Sequence, residues 1–212
     1  MTSSPFSAYI FDLGGVLFND GNRIGTARIA DALGLPVERV HGVLSGVHRK
    51  GYRRGEITES EFWRTALSEW NSSTQVDAIA PLWHESYEIR ESMRKLLLGL
   101  RERGARLVFL SDNTPERARH LSATTGFTEL FDAGVYSFEV GETKPALTLY
   151  KKALRHAGCN PSDCLYVDDK SRLLMPAIQL GIRTLHFRNV TTFFADLTAL
   201  GVLPTDGASP AR

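Results

Sequence analysis

Two kinds of hydrophobic pattern alternate along this chain. Near the N-terminus, and again from about residue 105 onward, apolar runs of four or five residues are each followed by helical periodicity. The runs are Ala8 to Phe11, Arg106 to Leu110, Val135 to Phe138, Cys164 to Val167 and Thr184 to Phe187, all rich in Val, Leu, Ile, Phe or Tyr. Strand-sized runs alternating with helices predict βα units and hence a parallel sheet. The helices carry readable ends. Thr114-Pro115-Glu116 opens one that Gly126 closes, and Pro145 opens another that Gly158 ends, following the preference for Pro in the first turn and Gly past the last. A third, after Asp169, is predicted to kink, because Pro176 removes a backbone donor before Gly181 closes it.

Residues 18–91 follow only the helical period. Val40, Val43, Leu44 and Val47 fall on one face, and Phe62, Ala66, Leu67 and Trp70 on another. Thr58-Glu59-Ser60-Glu61 has the form of a capping box. This predicts a helical insertion of about four helices between two parts of an α/β core, residues 1–17 and 92–203. Trp63, Trp70 and Trp83 are expected in its core, and His48-Arg49-Lys50-Gly51-Tyr52-Arg53-Arg54 reads as a solvated inter-helix loop. Residues 204–212 are small, polar and aperiodic, and read as a disordered tail.

Composition narrows the class. With 212 residues, 42% of them hydrophobic, the chain is large enough to bury a core. Its 25 Lys and Arg balance 24 Asp and Glu, so no whole-molecule field recruits nucleic acid or an acidic membrane. The first residues lack a basic flank and a small-residue cleavage pattern, and no apolar run approaches the roughly 20 residues of a membrane span. A cytoplasmic protein, monomeric or homodimeric, is expected. Cys159 and Cys164 lack zinc-ligand spacing and read as free or structural thiols, and His41, His48, His84 and His120 show no ligand spacing either.

In an open parallel sheet, ligands bind beyond the carboxyl ends of the strands. The residues that follow the apolar runs are therefore the candidates for chemistry: Asp12, then Ser111-Asp112-Asn113, then Lys144-Pro145, then Asp168-Asp169. Each has a dull reading alone, as turn residue, helix cap or solvated charge; all four groups at strand ends in one order do not.

These motifs, together with Tyr166-Val167-Asp168-Asp169 followed by Gly181-Ile182, resemble the haloacid dehalogenase superfamily, and within it small phosphatases with a helical cap inserted after the first strand. The resemblance covers nearly the whole chain. It implies a Rossmann-like three-layer sandwich with the insertion as cap. It further implies a Mg²⁺-dependent phosphohydrolase acting on a small phosphorylated metabolite. Asp12 would be the nucleophile, forming an aspartyl-phosphate. Asp12, the Gly14 carbonyl and Asp169 would hold the metal, with Asp168 in support. Ser111, Asp112, Asn113 and Lys144 would bind the phosphoryl group, Lys144 and Ser111 acting in catalysis.

One departure matters chemically. Such phosphatases carry an aspartate two positions after the nucleophile as general acid and base, and here that position is Gly14. Loss of a positioned acid typically removes about 10²–10⁴-fold in rate, which predicts a substrate with a good leaving group or its own proton. Val16, Asn19 and Asp112 stand where relatives usually have Thr, Asp and Asn. Asp112 is read as a residue that caps or pairs, with a displaced proton donor as the alternative. Two rival functions follow: a carbon–halogen hydrolase, whose aspartate needs no acid, and a catalytically weak member that binds a phosphate ligand or a protein.

Overall fold

The structure is a computed structural model that describes residues 4–204. In chain order the elements are β1 (Ala8–Phe11), α1 (Gly21–Leu33), α2 (Val37–Ser45), α3 (Val47–Arg53), α4 (Glu59–Glu69), α5 (Val76–His84), α6 (Glu91–Glu102), β2 (Arg106–Ser111), α7 (Pro115–Thr125), β3 (Ala133–Tyr136), α8 (Ser137–Val140), α9 (Leu147–Ala157), β4 (Cys164–Asp168), α10 (Met175–Gln179), β5 (Arg183–His186) and α11 (Val190–Ala199). The five strands form one sheet in the order β3-β2-β1-β4-β5, and every pairing is parallel. The expected α/β class is therefore observed.

Strand alternation divides the core into two layers. Tyr9, Phe11, Leu107, Phe109, Leu165 and Val167 point to one face, where α6, α7 and α11 contribute Leu97, Leu121 and Phe193. Their neighbours Ala8, Ile10, Val108, Leu110 and Tyr166 point to the other, against Leu149 and Ala153 of α9 and Ala177 of α10. Because both faces are covered, the strands are apolar at successive positions instead of alternating.

Six helices lie between β1 and β2, and the first five, α1–α5, have a core of their own. Ile29, Val40, Leu44, Phe62, Trp63, Trp70, Ile79 and Trp83 are buried there together, with the Trp63 and Trp83 rings edge to face at 5.5 Å. The capping box forms: Thr58 Oγ1 accepts from the Glu61 N–H at 3.2 Å and Glu61 Oε2 from the Thr58 N–H at 2.7 Å. The two crossings between this bundle and the core run side by side. Phe18 pairs antiparallel with Ile89, the Asn19 N–H donates to the Glu88 carbonyl at 3.0 Å and the Arg90 N–H to the Leu17 carbonyl at 2.8 Å. Asn19 Oδ1 accepts from the Glu88 N–H at 3.2 Å, so its side chain stitches the two crossings together.

Several local expectations change. The third strand is Ala133–Tyr136, two residues earlier than its apolar run. Gly134 lies directly against the Phe109 ring, where any Cβ would collide at 1.8 Å, so a small residue that reads as loop is required inside the strand. Phe138 instead enters α8 and stacks on Tyr136 at 5.0 Å. Pro176 does not kink a long helix: it sits in the first turn of the short α10, after a separate 3-10 turn, where its missing N–H costs nothing. The helix opened by Pro145 starts at Leu147. Val47 does not share the face of Val40 and Leu44, because the helix breaks at Gly46 and leaves it 73% exposed. The basic stretch is α3, not a loop, and it buries Tyr52. Cys159 and Cys164 are free thiols with sulfurs 3.0 Å apart. Of the tail expected to be disordered, residues 205–212 lie outside the described residues. Among the described residues, no helix is long and apolar enough to cross a membrane.

Candidate active site

β1, β2 and β4 end at the same edge of the sheet, and their last residues bring the strand-end carboxylates and hydroxyl together. Asp12 follows β1 and is 5% exposed; its Oδ1 accepts from the Leu13 N–H at 2.8 Å. Lys144 is equally buried, and its ammonium lies 3.1 Å from Asp12 Oδ1 and 2.7 Å from Asp168 Oδ2. Asp168, at the end of β4, also accepts from the Tyr166 hydroxyl at 2.5 Å and the Lys170 N–H at 2.8 Å. Asp169 turns back toward the nucleophile across Gly15. That glycine has φ of 90°, and a Cβ there would meet Asp169 Oδ2 at 2.6 Å, so the approach of this carboxylate requires glycine. One ligand atom from each of Asp12, Asp168 and Asp169 lies within 4.8 Å of the others.

The electrostatics follow from this crowding. Burial, together with the neighbouring charges of Asp168 and Asp169, pushes the Asp12 carboxyl up to about 7 although Lys144 opposes it. Burial also raises Asp169. Burial works against the Lys144 ammonium, but Asp12 and Asp168 more than offset it and hold its pKa above that of an ordinary lysine. Asp168 is kept low: burial opposes its charge, and Lys144 and Tyr166 overcome that. Asp12 and Asp168 share the buried Lys144, while Asp169 pairs with the half-exposed Lys170 at 3.3 Å; an all-oxygen donor set of this kind suits a hard divalent cation.

Asp12, Gly14, Ser111, Asp112, Asn113 and Lys144 line one cleft together with Asn22, Arg53, Tyr87, Arg117, Lys170 and Arg172. Asp168 and Asp169 do not line it, standing behind and beside Asp12. Asp112 is tied down, with Oδ1 accepting from the Lys144 N–H at 2.9 Å, an arrangement that pairs two motifs. The Asn113 side-chain oxygen accepts from the Thr114 N–H at 3.0 Å and from Arg117 Nε at 2.7 Å, so that oxygen positions an arginine. A Cβ at Gly14 would meet only Tyr87 Cε1, at the ordinary contact distance of 3.7 Å. Tyr87 and Arg117 are not legible in the sequence as site residues. The one sequence signal for Arg117 is its four-residue spacing from Asn113 at a helix start, which any surface arginine could share.

A family model of the haloacid dehalogenase-like hydrolases matches residues 6–180. A Dictyostelium discoideum protein of undescribed activity is 35% identical over 144 residues, 66% of this chain and 62% of that protein. Bifunctional epoxide hydrolase 2 of Sus scrofa is 24% identical over 229 residues, 96% of this chain but 40% of that one. The chain thus spans less than two thirds of these relatives. In fold it is similar to the HAD family enzyme BT-2542 of Bacteroides thetaiotaomicron, solved with magnesium and inorganic phosphate, at TM-score 0.75 and 22% identity over 85% of this chain and 93% of that one. It is also similar to the L-2-haloacid dehalogenase RSc1362, at TM-score 0.69 and 22% identity over 89% of this chain and 88% of that one.

Proposed function

The chain belongs to the haloacid dehalogenase-like hydrolases, and within that family we infer that it is a Mg²⁺-dependent phosphohydrolase of a small phosphorylated metabolite, working through an aspartyl-phosphate at Asp12. The observation that carries this reading is the buried arrangement of Asp12 with Lys144 at 3.1 Å and with Asp168 and Asp169 inside one 4.8 Å group. A dehalogenating aspartate needs no such carboxylate pair.

Asp12 attacks phosphorus; the new P–O bond to its carboxylate forms as the bond to the leaving oxygen breaks. Lys144 keeps Asp12 oriented and draws charge from the phosphoryl oxygens as it accumulates, while Ser111 and the start of α7 bind those oxygens. Water then attacks phosphorus as the P–O bond to the Asp12 carboxylate breaks, and the departing phosphate keeps the oxygen and the protons of the water. Asp12, the Gly14 carbonyl and Asp169, with Asp168 in support, would hold Mg²⁺, which supplies positive charge against the anionic substrate. Position 14 supplies no proton, so leaving groups that depart as stable anions, such as anomeric, acyl or aryl oxygens, are favoured.

The test is phosphate release from a panel of metabolite phosphates with Mg²⁺. Asp12→Asn should reduce it by about 10⁴-fold or more, and chelator should stop it until Mg²⁺ is restored. Turnover that survives Asp12→Asn overturns the reading. The missing acid at Gly14 favours one rival, carbon–halogen hydrolysis: halide release from 2-haloacids that is indifferent to chelator would establish it.

A further inference from the structure

We propose that the cap side of the cleft is a second anion subsite, so that the substrate carries a carboxylate or a further phosphate in addition to the phosphoryl group. This subsite deepens the phosphohydrolase reading and rests on it for the first anion; the second is to be held by Arg49, Arg53 and Arg117.

Arg117 is 2% exposed, yet every group that holds it is neutral. Its guanidinium donates to Asn113 Oδ1 at 2.7 Å, to the Tyr87 hydroxyl at 2.9 Å and to Asn22 Oδ1 at 3.4 Å. It lies over the Trp83 ring at 4.4 Å and the Tyr87 ring at 4.8 Å. Arg49 lies over the same Trp83 at 5.6 Å. Arg49 and Arg53 are four residues apart on α3 and so share a face. Among the described residues, none of the three forms a salt bridge, and the Nε atoms of Arg49 and Arg53 are buried without a hydrogen-bond partner. Arg53 lines both the cleft over Asp12 and an adjoining cavity walled by Arg49, Arg54 and Arg172. One carboxylate, Asp112, borders both cavities; its Oδ1 accepts from the Lys144 N–H, and its charge offsets only part of the burial and repulsion that act on Arg49.

Aromatic faces and amide oxygens position a guanidinium without cancelling its charge. Arginine does not escape burial by losing its proton, so desolvation and mutual repulsion remain until an anion arrives. Burial and the charge of Arg53 accordingly depress the pKa of both Arg49 and Arg117. The guanidinium fork matches carboxylate and phosphate oxygens. The transferring phosphoryl group already has Lys144 and Ser111 at the sheet edge, which leaves this cluster for a separate group. Because Arg49 and Arg53 come from the cap and Arg117 from the core, the second anion would also clamp the two together.

The experiment compares three aryl phosphates whose leaving groups suit an enzyme without a general acid: 4-ethylphenyl, 4-(carboxymethyl)phenyl and 4-(phosphonomethyl)phenyl phosphate. KM is measured on the wild type, and Kd by calorimetry on Asp12→Asn, both with Mg²⁺. The anionic esters should bind at least about tenfold more tightly than the neutral one, in keeping with charged hydrogen bonds. That ratio should fall toward one in Arg49→Gln and in Arg53→Gln, and be partly retained in Arg53→Lys. Should a glutamine variant fail to fold, the wild-type ratio must still shrink as salt rises. Equal binding of all three esters, or a preference that survives both glutamine substitutions or is insensitive to salt, overturns the proposal. If none of the esters is hydrolysed, the phosphohydrolase reading fails, and the calorimetric ratio still decides the subsite.

Discussion

The floor and the roof of the cleft are built on opposite electrostatic plans. At the sheet edge, Asp12 and Asp168 share one buried lysine, Lys144, and Asp169 beside them pairs with the half-exposed Lys170 at 3.3 Å. Across the cleft, α3 and α7 present Arg53 and Arg117, and Arg117 is held by rings and neutral oxygens. The floor takes its positions from where strands stop. The roof takes them from how an aromatic core packs. Under the proposed function, bond breaking would be tied to backbone geometry and selectivity to side-chain packing, the more easily altered of the two.

The largest effect that separates them is expected at Trp83, which is fully buried and carries both Arg49 and Arg117 on its ring. Trp83→Ala should cost about 3–5 kcal/mol of stability, as other large core truncations do. Urea unfolding measures it, and a rise in KM that exceeds any fall in kcat would show the roof failing while the floor stands. If kcat falls as much as KM rises, the two regions are not separable.

Gly14→Asp sharpens the comparison from the floor. A Cβ at this position has room, since its nearest neighbour would be Tyr87 Cε1 at 3.7 Å, and restoring a proton donor should raise turnover of simple alkyl phosphates by at least about 10²-fold. It should also flatten the dependence of rate on leaving-group acidity. No gain would mean that Tyr87 blocks the position or that the protein already has another donor.

A smaller effect is expected at the cap's fourth helix, where Thr58→Ala removes the capping box at a cost of about 1 kcal/mol, read by urea unfolding with little change in kcat. The smallest concerns Glu59, whose carboxylate contacts His84 Nε2 at 2.5 Å. Burial opposes the Glu59 charge, but His84 overcomes this and holds its pKa below the usual 4.5. Stability from this pair is present above that value and is lost as pH falls through the lower folded one. In His84→Ala the melting temperature should therefore drop less steeply than in the wild type as pH falls below 4.5.

The floor is largely legible in the chain because a strand that ends beneath a parallel sheet's carboxyl edge exposes the very next residue. Asp12, Ser111 and Asp168 can be located from apolar runs alone. The third strand is misplaced by two residues because Gly134 carries no hydrophobic signal; its reason for being there is the Phe109 ring from the neighbouring strand. Arg49 and Arg53 read as a solvated stretch, since nothing in a basic heptad reveals that Tyr52 pins one face of it into a core.

By itself, the sequence determined the βα rhythm, the inserted helices and the chemical types at the strand ends, because these depend on periodicity and on neighbours a few residues away. Only the tertiary structure decided the strand order β3-β2-β1-β4-β5 and the meeting of Lys144 with Asp12 and Asp168. It also decided the gathering of Arg53 and Arg117 over one cleft. Those are contacts between residues tens of positions apart, set by packing two sheet faces and an aromatic cap at once, and no local pattern encodes such a distance.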